Sequence, residues 1–153
     1  MPDAISLLKE DHEKVKSLLT ELEETSNRAV KSRQELVGKI AKELKVHTKI
    51  EESVFYPAFK AAAEKQDERV MYYEANEEHR LVDFEIPRLE NTDPSTDDFL
   101  AHAKVLKEIV EHHVKEEEKE MFPMAKKLLS KEELEEIGMK MEAEKKKLMQ
   151  SVN

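Results

Sequence analysis

Imidazole and carboxylate side chains recur at helical spacing in this sequence. His47 is followed four residues later by Glu51, and His113 is followed four residues later by Glu117. Residues four apart lie on the same face of an α-helix, so each pair can point into one space. Imidazole and carboxylate groups are ligands for iron, zinc and manganese. One such pair is a frequent accident on a charged helix, and the case for a metal site therefore depends on how many pairs share one interior.

Two further histidines extend the pattern to other parts of the chain. His79 is followed four residues later by Asp83, which stands where the glutamates stand in the other two pairs. His12 has Lys16 at the corresponding position and so offers an imidazole alone. When positions are plotted at about 100° per residue, His79 lies within an apolar face and His12 lies at the edge of one. The sequence therefore predicts histidines from four helices directed toward a common interior.

The fourth amphipathic segment illustrates how the direction of a histidine follows from its neighbours. Leu106 and Val110 lie within about 60° of His113 around the helix, whereas the nearby lysines lie more than about 110° away. Glu117 lies about 40° from His113 and is therefore also expected to point inward. A buried carboxylate must be paired or must bind a metal, because its desolvation otherwise costs several kcal/mol.

The predicted metal ligands are the inward histidines and carboxylates: His12, His47, Glu51, His79, Asp83, His113 and Glu117. Without a metal, all of these groups would need other partners in the core. A structural zinc site is complete with four ligands, so this larger set suits a dinuclear centre in which carboxylates bridge two ions and imidazoles bind each one. The ligand types alone do not choose between iron, zinc and manganese.

Helices must position these side chains, and the composition favours helices throughout. Charged residues make up 40% of the chain and apolar residues 39%, with only 2 glycines and 5 prolines. The predicted helices span residues 2–24, 32–64, 67–90, 96–129 and, after a capping box at Ser130-Lys131-Glu132-Glu133, about 130–149. We expect an all-α fold: an up-down-up-down four-helix bundle at residues 1–129, with an additional C-terminal helix at residues 130–153 that belongs to the same domain.

Several classes of protein are excluded or disfavoured by what the sequence lacks. It contains no cysteine, which excludes disulfides, thiolate zinc sites and iron–sulfur clusters. The net charge of −9 argues against nucleic acid and anionic membranes as primary partners. The first residues have no signal-peptide pattern, and no segment reaches the roughly 18 apolar residues of a membrane span. We therefore expect a cytoplasmic protein.

A longer motif contains two of the His–Glu pairs. The pattern His-x-x-x-Glu-Glu-x-x-x-aromatic-Pro occurs at residues 47–57 and again at residues 113–123, and its proline at position 57 is expected to kink the second helix or open its hydrogen-bond ladder. No histidine has a glutamate three residues before it, so the Glu-x-x-His signature of ferritin-like proteins is absent. Together with His12 in Lys-Glu-Asp-His and His79 in Glu-His, the pattern resembles the hemerythrin-like, or HHE cation-binding, family over residues 5–123.

The resemblance implies two iron ions in an oxo- or hydroxo-bridged di-iron centre that meets O2 or related small oxidants. Carried onto the matching positions of this chain, it implies the ligands His12, His47, Glu51, His79, His113 and Glu117. The third helix of the family's oxygen carriers supplies His-x-x-x-His, whereas this chain has Asp83 at the second position. A carboxylate that ligates one iron there, or holds a bound water, argues against reversible oxygen carriage more than against a di-iron centre.

The leading functional hypothesis is a non-haem di-iron protein that binds or responds to O2, peroxide or nitric oxide in sensing, storage or detoxification. One alternative is a di-iron oxidoreductase with catalase- or peroxidase-like turnover. Another is an iron-stabilised regulatory or interaction module, which the Lys- and Glu-rich C-terminal helix keeps open. The expected partner is a small diatomic or peroxide ligand, with neither nucleic acid nor membrane involved.

Three other residues have a structural and a functional interpretation. His112 lies about 100° around the helix from His113 and is expected at the surface, with ligation in place of His113 as the alternative. His102 faces inward near one end of the bundle, where a hydrogen-bonded core or channel residue is favoured over a ligand. Tyr72 is expected either to pack in the core or to hydrogen-bond to a metal ligand.

Overall fold

Almost all of the chain is helical in the computed structural model, which describes residues 2–151. In chain order the elements are α1 (Ala4–Glu23), α2 (Val30–Ile50), a π-helical turn (Glu51–Phe55), α3 (Tyr56–Ala62), α4 (Gln66–Glu90), α5 (Asp97–Glu116), a second π-helical turn (Glu117–Met121), α6 (Phe122–Leu128) and α7 (Lys131–Ser151). Their outer boundaries agree with the predicted helices to within about two residues, the usual uncertainty of such assignments. The second and fourth predicted helices are each interrupted by a π turn.

Side-chain caps begin several of these helices where the sequence predicts a start. Asp3 accepts a hydrogen bond from the backbone N–H of Ser6 at 2.9 Å and begins α1. The predicted capping box is present before α7, because Ser130 and Glu133 each accept the other's backbone N–H, at 3.1 and 2.9 Å. These bonds satisfy N–H groups that have no partner within the first turn of a helix.

Four of the helices form the bundle, and each lies beside two of the others. α1 packs against α2 and α5, and α4 packs against the same two helices. Short connections make consecutive bundle helices antiparallel, so the predicted all-α, up-down-up-down topology is confirmed. α3 and α6 continue α2 and α5 beyond the π turns. Within residues 2–151, no helix is both long and apolar enough to cross a membrane.

The apolar core consists of two clusters at opposite ends of the bundle. The π-end cluster includes Ala4, Leu8, Ile50, Phe55, Tyr56 and Phe122. The loop-end cluster includes Leu19, Ile40, Val82, Phe99 and Leu106. Along each bundle helix a histidine falls between residues of one cluster and residues of the other. The buried polar groups therefore form a layer across the middle of the bundle, closed by apolar side chains on both sides.

The loop end is held by a fully buried guanidinium. Arg33 donates to the hydroxyl and the carbonyl oxygen of Thr25, both at 2.9 Å, and to the carbonyl oxygen of Pro94 at 2.6 Å. Its guanidinium carbon lies 5.1 Å from the centre of the Phe99 ring. These contacts connect the α1–α2 loop to the α4–α5 loop, because Thr25 lies in the first and Pro94 in the second. They fix the spacing of the helices that carry the histidines.

The C-terminal helix α7 docks on the bundle rather than extending from it. Leu134, Ile137 and Met141 are buried and belong to the π-end cluster. At Gly138 a Cβ atom would lie 2.9 Å from the carbonyl carbon of Asp3, so a glycine is needed for α7 to approach the start of α1 this closely. Of the predicted segments 1–129 and 130–153, the first residue and the last two lie outside the described residues.

Candidate metal centre

A buried histidine from each bundle helix meets the others in the middle of the molecule. α1, α2, α4 and α5 supply them in chain order: His12, His47, His79 and His113. None is more than 5% exposed. Each ring directs Nε2 inward, toward the carboxylates of Glu51 or Glu117. The structure thus brings six of the seven predicted ligands into one cluster.

The donor atoms of this cluster fall into two groups. The first donor group consists of His12, His47, Glu51 and Glu117, and the second donor group consists of Glu51, His79 and His113. Within each group the ligand atoms all lie within 4.8 Å of one another. Glu51 connects the groups, since its Oε1 lies 3.1 Å from Nε2 of His47 and 3.0 Å from Nε2 of His79. Oε1 of Glu117 likewise lies 3.0 Å from Nε2 of His12 and 3.4 Å from Nε2 of His113.

A second set of acids, the outer carboxylates, holds the far side of each histidine ring. The Nδ1 atoms pair as follows: His12 with Glu118 at 2.7 Å, His47 with Asp11 at 3.0 Å, His79 with Glu52 at 2.7 Å, and His113 with Glu78 at 2.6 Å. An Nδ1–H that donates to a carboxylate leaves the lone pair of Nε2 free to face the interior. This carboxylate–histidine arrangement is typical of metal-binding imidazoles, whose orientation and basicity it sets.

The charges in the cluster make protons and cations compete for the same nitrogens. Burial by itself would lower the pKa of His47, but Glu51 and Asp11 raise it to about 10. The pKa values of His79 and His113 are also raised, because nearby carboxylates again outweigh burial. Burial would raise the pKa of Glu51, yet the adjacent imidazoles hold it well below its usual range. A cation that binds here must therefore displace protons from the imidazoles.

Two buried polar atoms in residues of the first donor group are available to bind a cation. Nε2 of His47 and Oε2 of Glu51 are buried and lack a hydrogen-bond partner among the described residues. The 3.1 Å approach of Nε2 of His47 to Oε1 of Glu51 is a close contact without the angles of a hydrogen bond. A buried polar atom without a partner costs about 1–3 kcal/mol, so such atoms usually have a reason to exist. Both are Lewis bases, and both of their residues belong to the first donor group. This donor set is suited to iron, zinc or manganese.

Comparison with protein families supports the same interpretation. A sequence model of the hemerythrin HHE cation-binding domain matches residues 3–125. The chain belongs to this family. The match spans every residue of both donor groups and ends before α7. Both donor groups therefore lie within the part of the chain that matches a cation-binding domain.

Two proteins show how far the likeness extends. The crystal structure of an HHE cation-binding-domain protein from Mycobacterium kansasii has a TM-score of 0.85 and 30% sequence identity, over 99% of this chain and 90% of that one. A protein of Nostoc sp. (strain PCC 7120) that is described as a DNA nickase is 31% identical over 144 residues. That match covers 94% of this chain but 39% of the Nostoc protein, so most of the larger protein has no counterpart here.

The π turns position the carboxylates of the HHE domain. Glu51 and Glu117 are each the first residue of a π turn. The backbone N–H of Tyr56 bonds to the carbonyl of Glu51, and that of Phe122 bonds to the carbonyl of Glu117, five residues back instead of four. The next residue is proline in both segments, and proline lacks an N–H and crowds the preceding turn. The prediction that Pro57 opens the hydrogen-bond ladder is confirmed.

Tyr56 belongs to the site although the sequence pattern did not single it out as a site residue. Its hydroxyl donates to Oε2 of Glu117 at 2.6 Å and lies 3.1 Å from Nε2 of His79 and 3.2 Å from Nε2 of His113. Burial and the charges of the two glutamates raise its pKa well above the usual range. In a regular α-helix this residue would be turned about 140° from Glu51, so only the π turn places it inside. The available signal was the aromatic-Pro end of the repeated motif.

Asp83 does not join the cluster. Its side chain is exposed, and it lines a surface groove that also contains Glu52. Partial burial and the charge of Glu52 raise its pKa. The prediction that it points toward the metals is wrong because Val82 and Ile86 lie about 20–60° to one side of His79, whereas Asp83 lies about 40° to the other. On α5, by contrast, Leu106 and Val110 fall on the same side of His113 as Glu117.

The other three residues for which the sequence allows a role at the site lie outside the donor groups: His112, His102 and Tyr72. The side chain of His112 is 64% exposed, which leaves the inward position to its neighbour. His102 is mostly buried and its Nδ1 lies 2.5 Å from Oε1 of Glu85, so it is a hydrogen-bonded residue away from the centre. Tyr72 is partly buried, and its ring packs edge to face against that of Tyr56.

A small cavity adjoins the four histidines on the loop-end side. Apart from Thr48, its other walls are aliphatic: Val15, Leu44, Val82, Val110 and Val114. Its volume is about 20 Å³. Since one water molecule needs about 10–15 Å³ of such space, the cavity has room for a single very small molecule. Its apolar walls favour an uncharged one.

Proposed function

We propose that this HHE domain holds two iron ions between its helices and that O2, peroxide or nitric oxide reacts there. The observation that carries the proposal is the pair of donor groups that share Glu51. Each group contains two inward Nε2 atoms whose opposite nitrogens are held by outer carboxylates. A mononuclear site would use only one donor group and would leave the two imidazoles of the other group, with their outer carboxylates, unbound to metal. The shared carboxylate is what a dinuclear centre requires.

The residues divide between the two ions according to the donor groups. His12 and His47 would bind one ion, and His79 and His113 would bind the other. Glu51 lies against both groups and would bridge the ions. Glu117 would act as a second bridge, because its Oε1 lies within 3.4 Å of an Nε2 in each group. Bound iron would supply the redox chemistry with which these small molecules react.

The surroundings of the donor groups favour small uncharged reactants. The cavity beside the histidines has a volume of about 20 Å³, which suits a diatomic molecule or peroxide rather than an organic substrate. Apolar walls also exclude ions and much of the water, so a reactive species formed inside would be shielded from hydrolysis and from side reactions. The two apolar clusters close the layer of ligands from above and below.

Tyr56 favours a second candidate function, turnover of peroxide. A phenol that lies 3.1–3.2 Å from both imidazoles of the second donor group can act as a further ligand to that ion when it is deprotonated. In its neutral form it carries a proton directed at Glu117. Either role adds an oxygen donor beside His79 and His113, which favours oxidant chemistry over reversible oxygen carriage. This candidate uses the same ligands as the first.

The nickase activity named for the Nostoc protein is not part of the proposal. The matched region is 39% of that protein, and the net charge of −9 opposes contact with the phosphate backbone of DNA.

Iron analysis combined with optical spectroscopy tests the proposal. The metal-free protein would be reconstituted with Fe²⁺ under anaerobic conditions, freed of unbound metal and assayed for iron per chain. We expect two ions per chain and a spectrum that changes on addition of O2, H2O2 or nitric oxide. Sustained breakdown of peroxide would select the second candidate, and a stable adduct would select the first. A folded protein that retains at most one ion, or a spectrum that none of the three molecules alters, would contradict the proposal.

A further inference from the structure

The C-terminal helix reaches the metal centre through one lysine. Nζ of Lys145 donates to Oδ1 of Asp11 at 2.6 Å. The other oxygen of the same carboxylate, Oδ2, lies 3.0 Å from Nδ1 of His47. Nε2 of His47 belongs to the first donor group. A continuous chain of polar contacts therefore runs from α7 to a candidate ligand.

This contact distinguishes Asp11 from the other outer carboxylates. Within residues 2–151, Asp11 is the outer carboxylate that has a lysine partner. The side chains of Glu52 and Glu118 are 45% and 30% exposed, so water surrounds part of each. Glu78 instead faces the exposed ring of His112, with Oε2 at 3.3 Å from Nε2. The first donor group is thus the one that depends on α7.

The position of Lys145 is fixed by how α7 docks. Gly138 allows α7 to touch the backbone at Pro2 and Asp3, two turns before the lysine. Met141, one turn before the lysine, is 3% exposed and packs in the π-end cluster. The lysine side chain is 39% exposed, so its stem lies along the protein surface while its ammonium group meets a carboxylate that is only 9% exposed.

We infer that Lys145 is a positioning residue for the metal centre. Asp11 can offer an oxygen to His47 in several orientations, and its second oxygen would otherwise be buried with little solvation. By binding that second oxygen, Lys145 holds the carboxylate so that it keeps the His47 ring turned with Nε2 inward. The helix that lies outside the matched family region therefore controls one half of the site. The inference rests on the proposed function, because it assigns a role toward the ion that His12 and His47 would bind.

The expected effect is a loss of affinity for one ion. Removal of a group that orients a metal-binding histidine typically weakens metal binding by about 10–100-fold. Lys145→Met keeps the aliphatic stem and removes the charge. In a titration of the metal-free protein with Fe²⁺ under anaerobic conditions, and with Zn²⁺ as a redox-silent probe, one of two binding steps should weaken by about tenfold or more. Lys145→Arg should restore it.

Lys140→Met is the matched control. Lys140 lies on the same helix and pairs with Glu136 at 3.7 Å on the exposed face. It should leave both binding steps unchanged. If Lys145→Met also leaves both steps unchanged while the wild type binds two ions, the inference fails and the proposed function stands. If the wild type itself does not bind two ions, it is the proposed function that fails.

A double-mutant cycle separates positioning from general loosening of α7. If Lys145 acts through Asp11, then Lys145→Met should have little further effect on metal affinity in an Asp11→Asn background. The ¹⁵N signals of the His47 ring should also differ between the metal-free wild type and Lys145→Met, and should be unaffected by Lys140→Met. Additive effects of Lys145→Met and Asp11→Asn on affinity, or unchanged ring signals, would overturn the inference.

Discussion

The two halves of the metal centre are built from the same parts. In both, an acid precedes the first histidine, as Asp11 precedes His12 and Glu78 precedes His79. In both, the second glutamate of the repeated motif holds the histidine of a different helix at 2.7 Å: Glu52 holds His79 and Glu118 holds His12. Each motif also places its first glutamate at the start of a π turn. The repetition in the sequence thus becomes an approximate twofold symmetry in the site.

The halves differ at the aromatic residue that ends the motif. Phe122 stacks on His12, with ring centres 5.8 Å apart and planes inclined by 5°. Tyr56 occupies the matching position in the other motif and places a hydroxyl near Glu117 and two Nε2 atoms. They also differ in that Lys145 binds an outer carboxylate in one half. The shared parts explain how metal is held, and the departures explain how the two ions would become unequal.

Removal of the metals should produce the largest change, because it affects both halves. A ligand that binds only the folded state stabilises it by about 4 kcal/mol when its free concentration is about 1,000 times its Kd. For a domain of this size each kcal/mol moves Tm by about 2–4 °C, so the metal-free protein should melt about 10 °C lower or more. Calorimetry with and without a chelator measures the difference. Equal melting temperatures would mean that metals do not bind in the core.

Substitution of Glu51, the shared carboxylate, should lower the affinity for both ions. Loss of one outer carboxylate should lower the affinity for one ion only. Glu51→Gln keeps the shape but removes a charge that is buried beside His47 and His79. We expect both metal-binding steps to weaken by at least about 100-fold, and the free energy of unfolding of the metal-free protein to fall by about 3 kcal/mol. Calorimetric titration and urea unfolding measure these quantities. An effect on one step alone would show that Glu51 belongs to one half only.

The pH dependence of the metal-free protein provides the next test. The pKa of His47 is about 10 in the folded protein, against about 6.5 in an unfolded chain. The folded state therefore keeps a proton that the unfolded state releases. This contribution to stability is complete below about pH 6.5 and disappears as the pH rises through about 10. Urea unfolding should show a stability that declines across this window, and the decline should be smaller in His47→Gln.

Tyr56→Phe should make the two halves more alike. It removes a buried hydroxyl that donates to Glu117, so the free energy of unfolding should fall by about 1–2 kcal/mol. In the iron-loaded protein, the spectrum of the oxidised form and the rate of peroxide breakdown should both change. Tyr72→Phe is the control, because that ring packs against Tyr56. Identical spectra and rates in wild type and Tyr56→Phe would show that the Tyr56 hydroxyl takes no part in the reaction.

The smallest effect is expected at Asp83. Its side chain is exposed on α4, outside both donor groups. Asp83→Asn should change the affinity for either ion by less than about twofold and the stability by less than about 0.5 kcal/mol, as is usual for surface positions. A loss of affinity greater than about tenfold in the same calorimetric titration would show that Asp83 contributes to metal binding.

The sequence predicts the helices and most of the clustered donor side chains because both depend on one angular period. The apolar residues around His47 and His113 define directions that also contain Glu51 and Glu117, and the structure places all four side chains inside. The same reasoning fails for Asp83. Its spacing from His79 matches the spacing of the two glutamates from their histidines, but the apolar residues Val82 and Ile86 lie on the opposite side of His79.

Other features depend on interactions that periodicity does not contain. A π turn changes the helix face on which every later residue lies. Tyr56 can therefore be assigned to the site only after the backbone hydrogen bonds of the π turn are known. The contact between Lys145 and Asp11 joins residues 134 positions apart. It depends on how α7 docks, which is decided by Gly138 and the buried residues around it. The Lys- and Glu-rich composition of α7 gives no sign of this choice.

Anomalous diffraction at the iron edge from crystals of the iron-loaded protein tests the central claim most directly. The claim is that two similar halves, joined by Glu51, each hold one ion. It predicts two peaks in the middle of the bundle, one bound by Nε2 of His12 and His47 and the other bound by Nε2 of His79 and His113. A single peak, or peaks bound by other residues, would contradict it.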